Sequence, residues 1–168
     1  MNANKNILVA IDDSEASDRA VDYVAQIVGG GRGFYILLLH VPAPMPPQLL
    51  EHGGAENPAQ AQRAQAELRT AQGELLDEMG TMVESIFARA QARLHEAHIP
   101  EESIKIELFM PPAEQSLDRS ILQAAHAHDC HTVVVGREAF SWLRELFQGH
   151  VADKLMQQAE GRTLWIVQ

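Results

Sequence analysis

Apolar runs without alternation and apolar positions at helical spacing trade places along most of this chain. "NILVAI" (6–11), "FYILLLHV" (34–41) and "HTVVVG" (131–136) are unbroken and rich in β-branched residues. Such runs suit strands buried on both faces of a parallel sheet. "ESIKIELFM" (102–110) alternates like a half-buried strand, and "GRTLWIVQ" (161–168) supplies a fifth. Between the strands the period changes. Ala16, Ala20, Val21, Val24, Ala25 and Val28 predict one helix, with Ser14 as N-cap and Gly29 as C-cap. Leu75, Met79, Met82, Val83, Ile86, Ala90 and Leu94 predict a second. "SLDRSILQAAHAH" (116–128) and "VADKLMQQA" (151–159) predict two more. The alternation predicts an α/β fold with a doubly wound parallel sheet and helices on both faces.

One segment stands outside this rhythm. Pro42, Pro44, Pro46 and Pro47 mark a loop, and from Pro58 the chain is rich in Ala, Gln and Glu. We expect a single domain over 1–168, carrying a loop plus an extra helical segment at about 42–73. That helical segment is almost wholly polar or alanine. It is expected to project from the body or to pack on a partner chain.

Bulk composition narrows the function. Hydrophobic residues make up 46% of the 168, ordinary for a globular protein, and the formal net charge is −10. So acidic a surface repels nucleic acid backbones and anionic membranes. Cys130 is the single cysteine, so no internal disulfide forms. The N-terminus lacks the apolar stretch of a signal peptide, and "FYILLLHV" is too short to span a bilayer. The expectation is a cytoplasmic protein.

In an open parallel sheet, ligands bind beyond the carboxyl ends of the strands where the strand order reverses. The residues there are Asp12 and Asp13 after the first strand, His40 and Val41 at the second, and Gly136 at the fourth. "ILVAIDDSEAS", "LLLHV" and "VVVG…GHVADKL…TLWIV" resemble, in that order, the universal stress protein family. The resemblance covers nearly the whole chain. It implies a five-stranded Rossmann-like sheet of the adenine nucleotide alpha hydrolase-like type, a homodimer and, in some members, ATP binding.

ATP-binding members of that family carry glycine, two residues, glycine, nine residues, glycine, then serine or threonine. Here Gly136 matches the first place, Ala139 stands at the second, Gly149 matches the third and His150 stands at the last. The spacing is kept and two identities are not. Alanine adds a Cβ where backbone approaches phosphate, at a cost of roughly 1–2 kcal/mol if the conformation is left-handed. Imidazole fills more volume than a hydroxyl, yet it donates an N–H and attracts anions when protonated. The helix start at His150 and Val151 keeps its backbone N–H groups and dipole. By the same resemblance Asp12 faces the nucleoside and Val41 meets the base through its backbone. The implied cofactor is ATP or another adenine nucleotide, held by Asp12, Val41, Gly136, Ala139, Gly149, His150 and Val151.

Plainer roles stand beside these. Asp12 can cap the following helix, and Gly136 can serve a tight turn alone. "GGGRG" (29–33) follows a helix and precedes a strand, the wrong order for a phosphate cradle. "HAHDCH" (126–131) matches no zinc spacing, so no metal is expected, and Cys130 reads as a packed residue. Phe140, Trp142 and Phe147 give the mid-loop an apolar character, either packing on the body or binding a protein partner. The last strand, Thr163 to Val167, is expected to pair with its twin across a homodimer axis, since an uncovered edge needs protection. No nucleophile elbow or H-E-x-x-H exists, and the pairing of Asp12 with His40 or His150 is the nearest to a catalytic set. Three functions remain open: a nucleotide-binding regulator, a nucleotide-free interaction module of the same fold, and a slow ATPase.

Overall fold

A computed structural model describes residues 5–31, 33–50, 57–112, 114–142, 150–159 and 161–168. The strands are β1 (Asn6–Ala10), β2 (Tyr35–His40), β3 (Ile104–Leu108), β4 (Thr132–Gly136) and β5 (Thr163–Val167). The helices are α1 (Glu15–Val28), α2 (Pro58–Glu96), α3 (Leu117–Ala127) and α4 (Val151–Gln158). All pairings are parallel and the sheet order is β3-β2-β1-β4-β5. The order therefore reverses between β1 and β4, where Ala10 lies opposite both Leu39 and Val135.

The unbroken apolar runs are the central strands, as expected for strands covered on both faces. β1, β2 and β4 are buried from their second residue onward. On one face Leu8, Ala10, Leu37, Leu39, Val133 and Val135 cluster with Leu117, Ile121 and Ala124 of α3 and Val151, Ala152 and Leu155 of α4. Alternate residues point the other way. There the His40 ring meets Phe87 of α2 edge-on, and Trp165 meets Tyr23 of α1. Each fully buried Leu, Ile or Val here contributes about 1.5–3 kcal/mol from lost water contact.

The edge strands differ. β5 is half-buried over Leu164–Val167, and β3 leaves Ile106 and Leu108 exposed. The alternation read in "ESIKIELFM" is thus the mark of a thinly covered edge strand.

α1 forms where its cap and stripe predict. The Ser14 hydroxyl accepts from the Ser17 N–H, and the Gly29 N–H donates to the Ala25 carbonyl. Gly29 keeps a negative φ and Gly30 takes the left-handed turn at 73°. α1 and the end of α2 are joined by an ionic ladder. Arg89 meets Asp13 and Asp18 at 2.9 Å each, and Arg93 meets Asp18 at 3.1 Å and Asp22 at 2.7 Å.

The chain divides into two compact units, 1–43 with 85–168, and 44–84. The second holds the proline-rich segment, a short 3-10 turn at Pro47–Leu49 and the first part of α2. Asn57 starts that helix by accepting from the Ala59 N–H at 3.0 Å, with Pro58 at the first helical place. The two helical segments read separately in the sequence are one continuous helix. Its buried residues are Ile86, Phe87, Ala90 and Leu94, all outside the second unit. Within 44–84, Gln72 donates to the Leu49 carbonyl at 2.6 Å, while Leu50, Leu76 and Met82 are exposed.

Candidate functional site at the carboxyl ends of the strands

The loops after β1 and β4 meet at the strand-order reversal, and Asp12 joins them. Its Oδ1 accepts from the Ser14 hydroxyl at 2.5 Å and the Ser17 hydroxyl at 2.6 Å. Its backbone N–H donates to Ser17 Oγ at 2.9 Å. Its Oδ2 accepts from the Phe140 N–H at 2.6 Å, across 128 residues of sequence. Three of the roughly four acceptor positions of the carboxylate are thus in use. Asp12 is only 9% exposed, so these bonds replace the water it gives up on burial.

Phe140 is the other half of this contact. Its φ of 59° is left-handed, which for a bulky side chain costs about 1–2 kcal/mol. The ring is 1% exposed, in one buried cluster with Val41, Leu117, Ala139 and Val151. Of the two readings of the mid-loop, packing on the body is the one that describes Phe140. Trp142 is partly buried against the same cluster, and Phe147 lies outside the described residues.

Gly136 ends β4 beside the first turn of α1. A Cβ there would fall within 2.9 Å of the Ala16 Cβ and closer still to the Ala16 carbonyl. Its glycine is therefore demanded by helix-on-strand packing. Ala139 is buried, and its N–H donates back to the Gly136 carbonyl at 3.1 Å. Gly149 lies outside the described residues. His150 is the N-cap of α4 in extended backbone, and its side chain makes no capping bond. Its carbonyl accepts from Asp153 and Lys154. Val151 is buried in the first turn. Val41, just past β2, is buried as well.

His40 does not pair with Asp12. Its Nδ1 lies 2.8 Å from the Ile11 carbonyl and its ring faces Phe87. Burial pushes His40 below its ordinary pKa, against the opposing pull of the Ile11 bond and of Asp12 and Asp13. The ring is thus neutral, with Nδ1 as the donor. Asp12 spends its oxygens on Ser14, Ser17 and Phe140, so the Asp12–His40 pair drawn from the sequence is not assembled.

Elsewhere, Cys130 is fully buried and its thiol is pushed up to about 11 by that burial. His128, beside it in sequence, meets Glu107 at 2.5 Å. No group of metal-holding side chains occurs among the described residues. No helix among them is long and apolar enough to cross a membrane. Sequence reasoning missed Ser17, the backbone contact of Phe140 and the buried Asp118 on the first turn of α3. Asp118 Oδ2 has no hydrogen-bond partner among the described residues. A serine five places after an aspartate, on the buried stripe of α1, was the available signal for Ser17. Nothing local announces the backbone of Phe140.

Known proteins share this fold. A universal stress protein family structure from Burkholderia pseudomallei is 18% identical, covers 99% of this chain and 98% of its own, and superposes with a TM-score of 0.56. A universal stress protein in complex with cAMP is 16% identical, with 99% and 98% covered and a TM-score of 0.62. The universal stress protein from Archaeoglobus fulgidus in complex with dAMP is 14% identical, with 97% of both chains covered and a TM-score of 0.55. These likenesses show the fold. Among curated proteins, none matches the chain. The profile of the universal stress protein family matches residues 3–166, and the chain belongs to that family.

Proposed function

We propose that this chain is a ligand-binding regulator that takes an adenine nucleotide, ATP by preference, where the loops after β1 and β4 meet. Asp12 and Val41 serve the nucleoside end. Gly136, Ala139, Gly149, His150 and Val151 serve the phosphate end. The observation that carries this reading is the joining of the loops after β1 and β4 by the Asp12–Phe140 bond at the strand-order reversal, the place where open parallel sheets take their ligands. Relatives of the same fold in complex with cAMP and dAMP support the adenine class. The backbone N–H groups at the start of α4 suit a phosphate.

Occupancy changes partner binding and requires no chemistry. We place the protein in the cytoplasm as a homodimer joined along Thr163–Val167. There Trp165 is half-buried, and Tyr23 and Ile27 of α1 leave apolar surface exposed.

A second reading, a nucleotide-free module of the same fold, draws support from Gly136. Its need for glycine is met by Ala16 alone. Calorimetry with ATP separates the two, with Ala139→Gly/His150→Ser as the comparison protein. Micromolar binding by the native chain is expected. Binding by the double variant alone would make the loop a relic and favour the second reading.

A further inference from the structure

We propose that the outer edge of β3 binds a second copy of this chain, as an antiparallel β3–β3 pair centred on Ile106. Among the described residues β3 has β2 as its only neighbouring strand, so its other side is an open edge. The Phe109 N–H points inward, to the His40 carbonyl at 2.9 Å. By the alternation of an extended strand, Lys105 and Glu107 also bond inward. Ile104, Ile106 and Leu108 then turn their N–H and C=O groups outward. The same edge is apolar. Ile106, Leu108 and, just beyond the strand, Met110 are 45%, 44% and 65% exposed. An open, apolar edge of this kind is a template for another strand.

The order of side chains selects the strand that fits. Ile104, Lys105, Ile106, Glu107 and Leu108 run apolar, base, apolar, acid, apolar. Reversed about Ile106, this pattern is its own complement. Lys105 falls opposite Glu107 of the second copy, Ile104 opposite Leu108, and Ile106 opposite itself. Backbone bonds are then exchanged at Ile106 and between Ile104 and Leu108. The lysine–glutamate pairs occupy the places between, where opposite side chains come closest. His128 shares their face, with Nε2 2.5 Å from Glu107 Oε2 and Nδ1 3.5 Å from Lys105 Nζ. The Glu107 carboxylate keeps acceptor positions for the lysine of the second copy. A lysine on an edge ordinarily keeps strands apart, and here the glutamate two places on gives it a partner. Parallel pairing in register would instead set lysine on lysine. The twofold axis closes the pair. β3 and β5 are opposite edges of the sheet, so this contact is separate from the pairing along Thr163–Val167.

The test is sedimentation of the full chain over a range of concentrations. Ile106→Lys alters a half-exposed position and places two lysines at the axis, so the native mass should fall by half or more. Lys105→Glu and Glu107→Lys should each weaken the pairing about tenfold, because each sets like charges opposite one another twice. An equimolar mixture of these two variants restores both opposite-charge pairs and should associate about as tightly as the native chain. That recovery is specific to the antiparallel register. Glu107→Lys also gives up the His128 contact. Should it not fold, Ile106→Lys and Lys105→Glu decide by themselves. A native chain that is monomeric at every concentration overturns the proposal. So does a mass unchanged by Ile106→Lys, which would assign any dimer to another surface, or a mixture no tighter than its components.

Discussion

Gly136 and His150 open and close one spaced motif, and the fold treats them differently. At Gly136 the backbone is pressed against Ala16 of α1, with no room for a Cβ. Three residues on, Ala139 is buried and Phe140 is bonded to Asp12. That end of the motif is built into the body of the protein. At His150 the backbone begins α4 and the side chain makes no capping bond. One spacing can therefore hide two jobs. One end keeps a strand and a helix close, and the other starts a helix.

Changes at the two ends should separate these jobs. The largest effect is expected from Gly136→Ala. Its methyl group would overlap backbone atoms of α1, and overpacking of that kind costs about 1–3 kcal/mol. Urea denaturation should show the midpoint fall whether or not nucleotide is present. A midpoint equal to the native one would detach Gly136 from packing and return it to the phosphate.

His150→Ser should move stability the other way. Serine is a preferred N-cap where imidazole caps poorly, so a gain of about 0.5–1 kcal/mol is expected in the same denaturation series. A loss instead would mean that His150 already contributes to the fold, and the contrast between the two ends would blur.

The smallest effect is carried by pH at His40. Burial holds its folded pKa below the ordinary 6.5. The unfolded chain takes up that proton near 6.5, and the folded chain only at lower pH. The folded state therefore has the full benefit above 6.5 and loses it as pH falls from there toward the folded pKa. Denaturation midpoints at about pH 7.5 and about pH 5 should differ more in the native chain than in His40→Gln. An equal difference in both would place the pH dependence on other groups.

What the sequence made legible was local. The runs "NILVAI" and "VVVG", the Ser14 cap and the Gly29 stop concern neighbours a few residues apart, and each stands where expected. The place to look for a site follows from the α/β alternation, because the ends of the strands are where such sheets take ligands. Its internal wiring did not follow. Asp12 and Phe140 are 128 residues apart, and no local pattern says that a carboxylate will meet that particular N–H. The ladder is a similar case. Asp18 and Asp22 share a helix face, as do Arg89 and Arg93, but only the packed helices bring the faces together. α2 was divided in two because its first part has no apolar stripe like that of its end.

The burial of Cys130 has a consequence in redox chemistry. With its thiol pushed up to about 11 and no exposed surface, that sulfur stays protonated at neutral pH. Peroxides and disulfides react with thiolates that they can reach, and this sulfur is neither ionised nor accessible. While the chain is folded, oxidants have no grip on its sole cysteine, and modification of that sulfur would report unfolding.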